Sequence, residues 1–560
     1  MNSDTLPVRL FKGLCLTAWS LIVLLPLLAL LVGALSAPSG PNVTHGVMAS
    51  LFRSLLLAAL VAAIAVVLGW LPGRLLGTSR THGVLLLLLL LTPLVLPRYV
   101  LYYAWTLLLS PTTALGSALA SRPELARLVG TWTSTGVLVG WYWPVAALVL
   151  AQGWRGIDGR MWENACLEAT PRQVFRHVTM PLLARSVLLA FAVCFVLVLS
   201  EFATFHLAGV ETIGTELAVL YELTGSAAPV ARAAWPVAVL ALAAAIVLTR
   251  ASRQWASMGD ARSCLSTGRL GWFVLAALLL VSLVVPMVLM VANITTLEPF
   301  RRFLTLHLDE LGWSLATAAL AAALAYFVAL AGLFFTPEAR QRAAGGVLKP
   351  AARFLIGGSL FLAMFLPASL AAVALLKLLA ISGAPAALRQ AWFLVSVGQA
   401  ARLAGLAFIL LLLTRYPHRQ RLTDMASLDG ASPVKTWWHV HLPQVWPIQV
   451  GTFLLLMMFS FTELSATMVL LPAGLPNFAQ RLLNQMHYAR DQQVIASCLV
   501  LVGLFVLLAA VVVVLLRRGA VRRSMGVFLV SLLIVGVVGC EKAGGREGGP
   551  EVLDAFGRTG

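Results

Sequence analysis

Two glutamates, Glu201 and Glu463, stand inside long apolar stretches of this chain, where an ionisable side chain is costly to place. Each follows a proline, Pro181 or Pro443, by twenty residues (201 − 181 and 463 − 443). That is about 30 Å of helix, so each carboxylate is predicted near the far end of a membrane-crossing helix. One hypothesis is that both contact a solute in a translocation pathway. The alternative is an interfacial glutamate that snorkels or caps a helix break.

Other residues with reactive or ligating side chains form no recognisable site. His439 and His441 are two positions apart, a spacing that points them away from each other on a helix, so no metal site is predicted. The six cysteines show neither a CxxC pair nor metal-ligand spacing. The chain contains no Gly-Lys dipeptide, hence no phosphate-binding loop of the Walker type. We therefore predict no enzyme activity and no cofactor, and expect Arg98 and Lys377 near the membrane interfaces.

A polar segment, residues 424–443 (DMASLDGASPVKTWWHVHLP), precedes the apolar stretch of Glu463. Gly430 interrupts a helix-compatible start, because glycine reaches left-handed backbone angles without steric cost. Ser432 is a candidate N-cap and Pro433 a candidate first helical residue. The Leu442–Pro443 pair is predicted to end this second helix, since proline cannot continue the hydrogen-bond ladder. We call this stretch the second elbow.

The second elbow resembles the cytoplasmic "EAA" loop of permease subunits of ABC importers. Asp424, Met425 and Ala426 stand in for the opening triplet, Gly430 matches the family's glycine, and the Leu442–Pro443 pair falls at the expected distance. The resemblance implies a coupling helix that docks on an ATPase subunit. The alternative is an ordinary amphipathic loop at the membrane surface.

The first elbow, residues 162–181 (WENACLEATPRQVFRHVTMP), is a weaker match to the same pattern. With Pro181 as the anchor, Glu168 stands where the glycine should be, and Glu163 lies one position out of register. Pro171 and Phe175 preserve the helix start and the apolar face. The resemblance thus assigns ATPase coupling to these residues: Glu163, Pro171, Phe175, Pro181, Asp424, Ala426, Gly430, Ser432, Pro433, Leu442 and Pro443.

The composition is that of a polytopic membrane protein. Of 560 residues, 60% are hydrophobic and 11% are charged, and the mean hydropathy is +0.91. Apolar runs of about 20 residues predict twelve membrane-spanning helices. The predicted spans are residues 14–36, 49–70, 83–107, 134–154, 183–207, 232–249, 271–293, 312–334, 353–380, 391–414, 448–471 and 495–516.

An internal repeat relates the two parts of the chain. An offset of 262 positions (443 − 181) brings Pro443 onto Pro181, Pro433 onto Pro171 and Glu463 onto Glu201. Six spans per repeat is an even number, so both repeats enter the membrane in the same direction. The predicted fold class is therefore an all-α polytopic membrane protein with two tandem six-helix domains, residues 1–255 and 265–520, related by a parallel pseudo-two-fold axis.

The net charge of +18 comes from lysines and arginines clustered beside the apolar runs in alternate loops. This is the positive-inside pattern, so anionic lipid is a sufficient partner and nucleic acid need not be invoked. It predicts a cytoplasmic N-terminus and cytoplasmic elbows in a bacterial inner membrane. The clusters of lysine and arginine begin at Arg9, Arg74, Arg155, Arg250, Arg340, Arg415 and Arg517.

The C-terminal tail, residues 524–560, differs from the rest of the chain. A short apolar run after Arg522 and Arg523 ends in Val-Val-Gly-Cys at Cys540, which resembles a lipoprotein signal with its lipobox. Residues 541–560 are Gly-rich and polar, without a core-forming pattern. The tail is either a joined lipoprotein segment or a thirteenth hydrophobic helix.

The segments around Glu201 (SEFATF) and Glu463 (TELSATMVLLP) resemble fused two-domain permeases of the ferric-iron type. This resemblance implies the type I importer fold, a separate cytoplasmic ATPase dimer and an extracytoplasmic substrate-binding protein. Ferric iron is the implied cargo, with thiamine or phosphonate as alternatives. A secondary transporter driven by an ion gradient is the alternative of a different class.

Overall fold

The computed structural model describes residues 6–36, 44–79, 82–110, 113–157, 159–225, 227–255, 268–335, 350–412, 422, 425–426, 428–431, 433–472, 474–487 and 491–517. These residues are helical or lie in short connections, and no strand occurs among them. Asp424, Ser432 and the tail from residue 524 lie outside the described residues, and so do the predictions made for them.

The N-terminal half (residues 6–255) and the C-terminal half (residues 268–517) each consist of long helices joined by short ones. The helices of the N-terminal half are Leu6–Trp19, Leu25–Ser36, Thr44–Thr78, Gly83–Val95, Arg98–Thr106, Ala114–Ala120, Pro123–Arg155, Gly159–Glu168, Pro171–Val174, Met180–Leu199, Ala203–Leu207, Ile213–Thr224, Ala227–Ala233 and Trp235–Trp255. Those of the C-terminal half are Arg269–Leu279, Val285–Ala292, Glu298–Leu306, Leu308–Phe335, Pro350–Phe365, Ala368–Ile381, Ala386–Arg389, Phe393–Leu412, Pro433–Thr436, Leu442–Phe461, Ser465–Leu470, Phe478–His487 and Asp491–Arg517.

Within the described part of the chain, seven helical stretches are long and apolar enough to cross a bilayer, and an eighth is a bent pair. They confirm an all-α polytopic membrane protein. Three further predicted spans coincide with shorter apolar helices, Trp235–Arg250, Gln449–Phe461 and Gln492–Leu508. The seven stretches are Leu10–Leu35, Gly46–Thr78, Pro123–Arg155, Pro171–Leu199, Arg269–Ala292, Leu308–Phe334 and Phe393–Leu412.

Four predicted spans are wrong as continuous helices. Spans 183–207 and 448–471 break after Leu199 and Phe461, beside Glu201 and Glu463. The other two are 83–107 and 353–380. Each breaks at a Leu-Pro pair, Leu96–Pro97 or Leu366–Pro367, because the residue before a proline is driven out of the helical region. At the first break both residues are extended. At the second, the flanking helices bend by 118°. The residues that follow the two Leu-Pro breaks, 99–104 and 368–375, are buried.

Four other prolines, Pro26, Pro181, Pro286 and Pro443, do not break their helices; the helix continues through each of them. Each stands two residues after a single π-helical turn: Ser20–Leu24, Phe175–Thr179, Leu280–Val284 or Trp437–His441. In the first three turns, the residue before the proline donates its N–H to the carbonyl five residues back. The wider turn accommodates a pyrrolidine ring that would clash in an ideal helix. The prediction that Leu442–Pro443 ends a helix is therefore wrong.

The long helices Thr44–Thr78 and Pro123–Arg155 pack closely and run parallel. Gly69 lies against the backbone of Trp143 and Ala147, whereas Gly77 lies against Ala151 and Trp154. The later residues of one helix thus meet the later residues of the other. Both helices finish at one end of the bundle, which we call the Thr78 end.

The corresponding pair in the C-terminal half, Leu308–Phe335 and Phe393–Leu412, is also parallel. Ser396 donates to the carbonyl of Thr317 at 2.9 Å near the helix starts, and Gly332 meets the ring of Phe408 near their ends. These helices finish at the Thr78 end as well. The stretch Arg269–Ala292 begins there, with Trp272 against His82 (ring centroids 5.7 Å apart), and crosses the bundle. The next long helix, Leu308–Phe335, then returns.

The first helix of each half packs on the other half. Phe11 contacts Phe327 edge to face at 5.7 Å, and Trp19 Nε1 donates to Ser359 Oγ at 3.0 Å in a buried position. In the reverse direction, Ser282 lies against Gly140. The two halves therefore hold each other through an exchanged pair of apolar helices.

Candidate functional site

The first elbow projects from the Thr78 end between the helices Pro123–Arg155 and Met180–Leu199. Thr170 is the N-cap residue of the short helix that begins at Pro171, and the Gln173 side chain accepts from the Thr170 backbone N–H at 3.0 Å. Glu163 is exposed, Leu167 is 85% exposed and Phe175 is 44% exposed. Pro181 lies in the wide-turn junction that joins this elbow to its span without a break.

An aromatic cluster fastens the first elbow to the bundle. The guanidinium of Arg74 lies over the rings of Trp154 and Trp162, at 5.2 and 5.8 Å from their centroids. Trp70 contacts Trp154 and Phe175 edge to face at 5.6 and 5.9 Å. A planar cation between aromatic faces is a geometry that arginine supports and lysine does not reproduce. The first elbow is thereby packed against the Thr44–Thr78 helix.

The second elbow is described from Met425 onward except at a few residues. Gly430 has φ +70°, the left-handed conformation expected for it, and the Ala431 N–H donates to the carbonyl of Ala426 at 3.0 Å. Ala426 is buried, whereas Leu428 is 87% exposed. Pro433 begins a short helix, and Leu442 begins the span that follows the wide turn. The side chains of Pro433 and Pro443 lie outside the described residues. This elbow also leaves the bundle at the Thr78 end, because the preceding long helix, Phe393–Leu412, ends there.

Glu201 lies two residues beyond the end of the helix Met180–Leu199, and its side chain is only 2% exposed. One carboxylate oxygen accepts from the backbone N–H and the hydroxyl of Thr204, at 3.1 and 2.8 Å, and so caps the next short helix. The other oxygen pairs with Arg98 at 2.8 Å. Arg98 also donates to Tyr142 Oη at 2.8 Å and stacks on Trp141.

Glu463 has the same design after the helix Leu442–Phe461. One oxygen accepts from the backbone N–H groups of Ser465 and Ala466, at 3.0 and 3.4 Å, and the other pairs with Arg402 at 2.9 Å. Both side chains of this ion pair are 14% exposed. Each glutamate therefore caps a helix break and also carries a nearly buried ion pair.

The two ion pairs meet where the halves of the chain touch. Arg402 reaches from the C-terminal half to the hydroxyl of Ser200 in the N-terminal half at 3.3 Å. Nearby, the rings of Trp141 and Phe459 lie 6.3 Å apart. We refer to Arg98, Glu201, Arg402 and Glu463 as the ion-pair cluster.

A polar network extends the cluster into the C-terminal half. Gln399 donates to Thr467 Oγ1 at 3.0 Å and accepts from the hydroxyl of Ser460. Thr467 in turn donates to the carbonyl of Glu463 at 2.6 Å. Each of these buried polar groups has a partner, which fixes the geometry of the helix break.

The sequence prediction for this region was incomplete. It did not identify Arg98 as the partner of Glu201, and Arg402 was not singled out, although it lies inside the predicted span 391–414. A lone arginine in an apolar run needs a partner within the membrane, and that requirement was the missed signal. No group of three or more potential metal ligands occurs among the residues that the structure describes.

The fold and the ion-pair cluster place the chain in the class of helical polytopic membrane proteins with ionisable groups buried in the bundle. No protein-family model, curated protein or solved structure matches the chain.

Proposed function

We propose that this chain is the permease subunit of an ATP-driven importer, with two tandem six-helix domains and no ATPase site of its own. The observation that carries the proposal is the pair of elbows at the Thr78 end. Each exposes large apolar side chains and continues through a wide turn into a long helix, and that helix stops beside a glutamate, Glu201 or Glu463, that is buried or nearly so. Motion imposed on an elbow would reach the ion-pair cluster along one rigid element.

The tandem-domain part of the proposal is supported by features that recur at nearly constant spacing. The wide turns recur at offsets of 262 (437 − 175) and 260 (280 − 20). Ser54 accepts from the Ile213 N–H at 2.8 Å, and Ser314 accepts from the Phe478 N–H at 2.9 Å. The exchanged first helices are the packing expected of a pseudo-two-fold pair. We place the domain boundaries at residues 1–255 and 265–520.

Sidedness and partners follow from charge and exposure. Arg74, Arg155 and Arg176 lie at or beside the Thr78 end, which the positive-inside rule makes cytoplasmic in a bacterial inner membrane. Phe11 packs near Phe334 at this end, so the N-terminus would also be cytoplasmic. The exposed elbow residues suit a cytoplasmic ATPase dimer, and an extracytoplasmic binding protein would deliver the cargo. Resemblance favours ferric iron, with thiamine or phosphonate as alternatives.

Replacement of Gly430 tests the coupling role. Among the described residues, nothing beyond its chain neighbours lies within 4 Å of an added Cβ there, so Gly430→Ala is expected to strain the backbone turn. We expect co-purification of an ATPase with the intact chain, and its loss in this variant. Gly474→Ala is the matched control, because Gly474 also has positive φ (+86°) but lies outside both elbows. Equal retention of the ATPase by both variants would contradict the coupling role.

A secondary transporter is the second candidate, favoured by the helix breaks and buried ionisable residues of the ion-pair cluster. Uptake into vesicles separates the two functions. The importer requires ATP and its ATPase partner, and a proton gradient alone should give no uptake. Uptake driven by that gradient without ATP would overturn the importer proposal.

A further inference from the structure

The ion-pair cluster has no excess charge and is divided evenly between the halves. Arg98 and Glu201 belong to the N-terminal half, and Arg402 and Glu463 to the C-terminal half. Each half therefore contributes one arginine and one glutamate that satisfy each other. The hydrogen bond from Arg402 to Ser200 joins the two pairs across the junction.

Both carboxylates are already occupied. Glu201 pairs with Arg98 and caps one short helix, and Glu463 pairs with Arg402 and caps another. A metal ion could use these oxygens only by displacing an arginine and uncapping a helix. Removing one partner of a buried ion pair leaves an uncompensated charge, which is strongly unfavourable. The two glutamates are therefore poor candidates for direct ligands of a cationic cargo.

We propose that the ion-pair cluster is the closed gate of the pathway between the halves, and that the gate opens by separating the two pairs from each other. This inference rests on the proposed transport function and assigns it a gate. Separation breaks the Arg402–Ser200 hydrogen bond while both ion pairs stay intact, so opening exposes no unpaired charge. The open passage is then lined by neutral, strongly dipolar pairs, which suit a hydrated solute and do not trap an ion of either sign.

The gate can be tested with the full chain alone, in the absence of an ATPase or a binding protein. The chain is reconstituted into vesicles of phosphatidylethanolamine and phosphatidylglycerol loaded with potassium chloride, and potassium efflux is recorded with an electrode. We expect the unaltered chain to hold potassium. Ser200→Ala should speed efflux by about tenfold, the lower end of what one hydrogen bond to a charged group contributes, because this bond is long at 3.3 Å. Arg402→Met should speed it by at least about tenfold, because the unpaired Glu463 draws water into the junction.

Two further variants separate gating from general damage. Arg402→Met combined with Glu463→Gln removes the unpaired charge but keeps an acceptor for the helix cap, so efflux should fall back toward that of the unaltered chain. Arg481→Met breaks a partly buried pair with Glu310 inside the C-terminal half and should not leak; Glu310 keeps its contact with His307 Nδ1 at 3.2 Å. Unchanged efflux in both Ser200→Ala and Arg402→Met would overturn the gate, as would equal leakage from Arg481→Met. ATPase co-purification is scored separately, so a failed gate and a failed importer assignment give different results.

Discussion

At the scale of single residues, burial decides what a glutamate–arginine pair contributes. Glu201 pairs with Arg98 at 2.8 Å, and its side chain is 2% exposed. Glu211 pairs with Arg53 at 3.1 Å, but its side chain is 71% exposed. Water and salt screen the second pair, whereas in the first pair the Glu201 carboxylate is shielded from solvent and Arg98 is 24% exposed. Similar distances therefore correspond to very different energies.

Glu201→Ala should lower the free energy of unfolding by about 3–5 kcal/mol, because it leaves Arg98 facing an uncompensated site and uncaps a helix. Glu211→Ala should change it by less than about 1 kcal/mol. Thermal unfolding in detergent, followed by helical circular dichroism, measures both. Similar changes in the free energy of unfolding for the two variants would show that the pair of Glu201 and Arg98 stabilises the fold no more than the exposed pair does.

Predictions about single residues were correct where they depended only on the neighbouring sequence. Gly430 could be assigned a left-handed turn because its local spacing demanded one, and it has that conformation. The partners of Glu201 and Glu463 could not be found in the same way. Arg98 and Arg402 reach them only after helix breaks and long-range packing have brought separate elements together. A sequence reveals that a buried charge needs a partner, but the fold selects which one.

At the scale of elements, a stripe of small residues sets the closest helix contact. Gly69, Gly73 and Gly77 recur every four residues on the helix Thr44–Thr78 and face the helix Pro123–Arg155. A Cβ at Gly73 would lie 2.8 Å from the carbonyl oxygen of Ala147. In lipid, helices associate through such close backbone approach rather than through the hydrophobic effect. The spacing is visible in the sequence and predicts a close helix contact on this face, but it does not identify the partner helix.

Gly73→Val should force these two helices apart and strongly reduce the yield of folded protein. Gly136→Val is the control: it makes the same change on the neighbouring helix, where an added Cβ meets nothing within 4 Å. Both lose glycine from a helix, so the difference between them isolates packing. Monodispersity and thermal stability in detergent measure it. Equal behaviour of the two variants would contradict a packing role for Gly73.

Prolines explain why element boundaries were harder to predict than elements. Leu96–Pro97 and Leu366–Pro367 break helices, whereas Pro181 and Pro443 are absorbed by wide turns. The local sequence is a Leu-Pro or Met-Pro pair in every case. What differs is the chain that follows the proline. After Pro97 and Pro367 it is a short, largely buried helix, whereas after Pro181 and Pro443 it is a long continuous helix. Hydropathy identified all these apolar runs but not which of them bend.

At the scale of the whole molecule, the exchanged first helices make each half depend on the other. Trp19 bonds to Ser359, and Phe11 packs on Phe327, so the N-terminal helix completes the surface of the C-terminal half. In return, Arg269–Leu279 covers the first pair of long helices, with Leu275 buried there. The all-α membrane class could be predicted from hydropathy, but not the span count: twelve were predicted, whereas seven stretches of the described residues, or eight with the bent pair, are long and apolar enough to cross a bilayer. The exchange could not be predicted either, because every apolar helix is an acceptable neighbour until the shapes are known.

This exchange predicts that the covalent link between the halves is dispensable. A chain divided between residues 255 and 268, with both fragments expressed together, should reassemble and co-purify through a tag on one fragment. The same N-terminal fragment without residues 1–36 should lose most of that association, because it no longer supplies Phe11 and Trp19 to the other half. Trp19→Phe is the mild control, since it keeps the aromatic volume and removes only the bond to Ser359. Two fragments that purify separately, each folded, would mean that the halves meet only through their linker, and the gate inferred at their junction would lose its support.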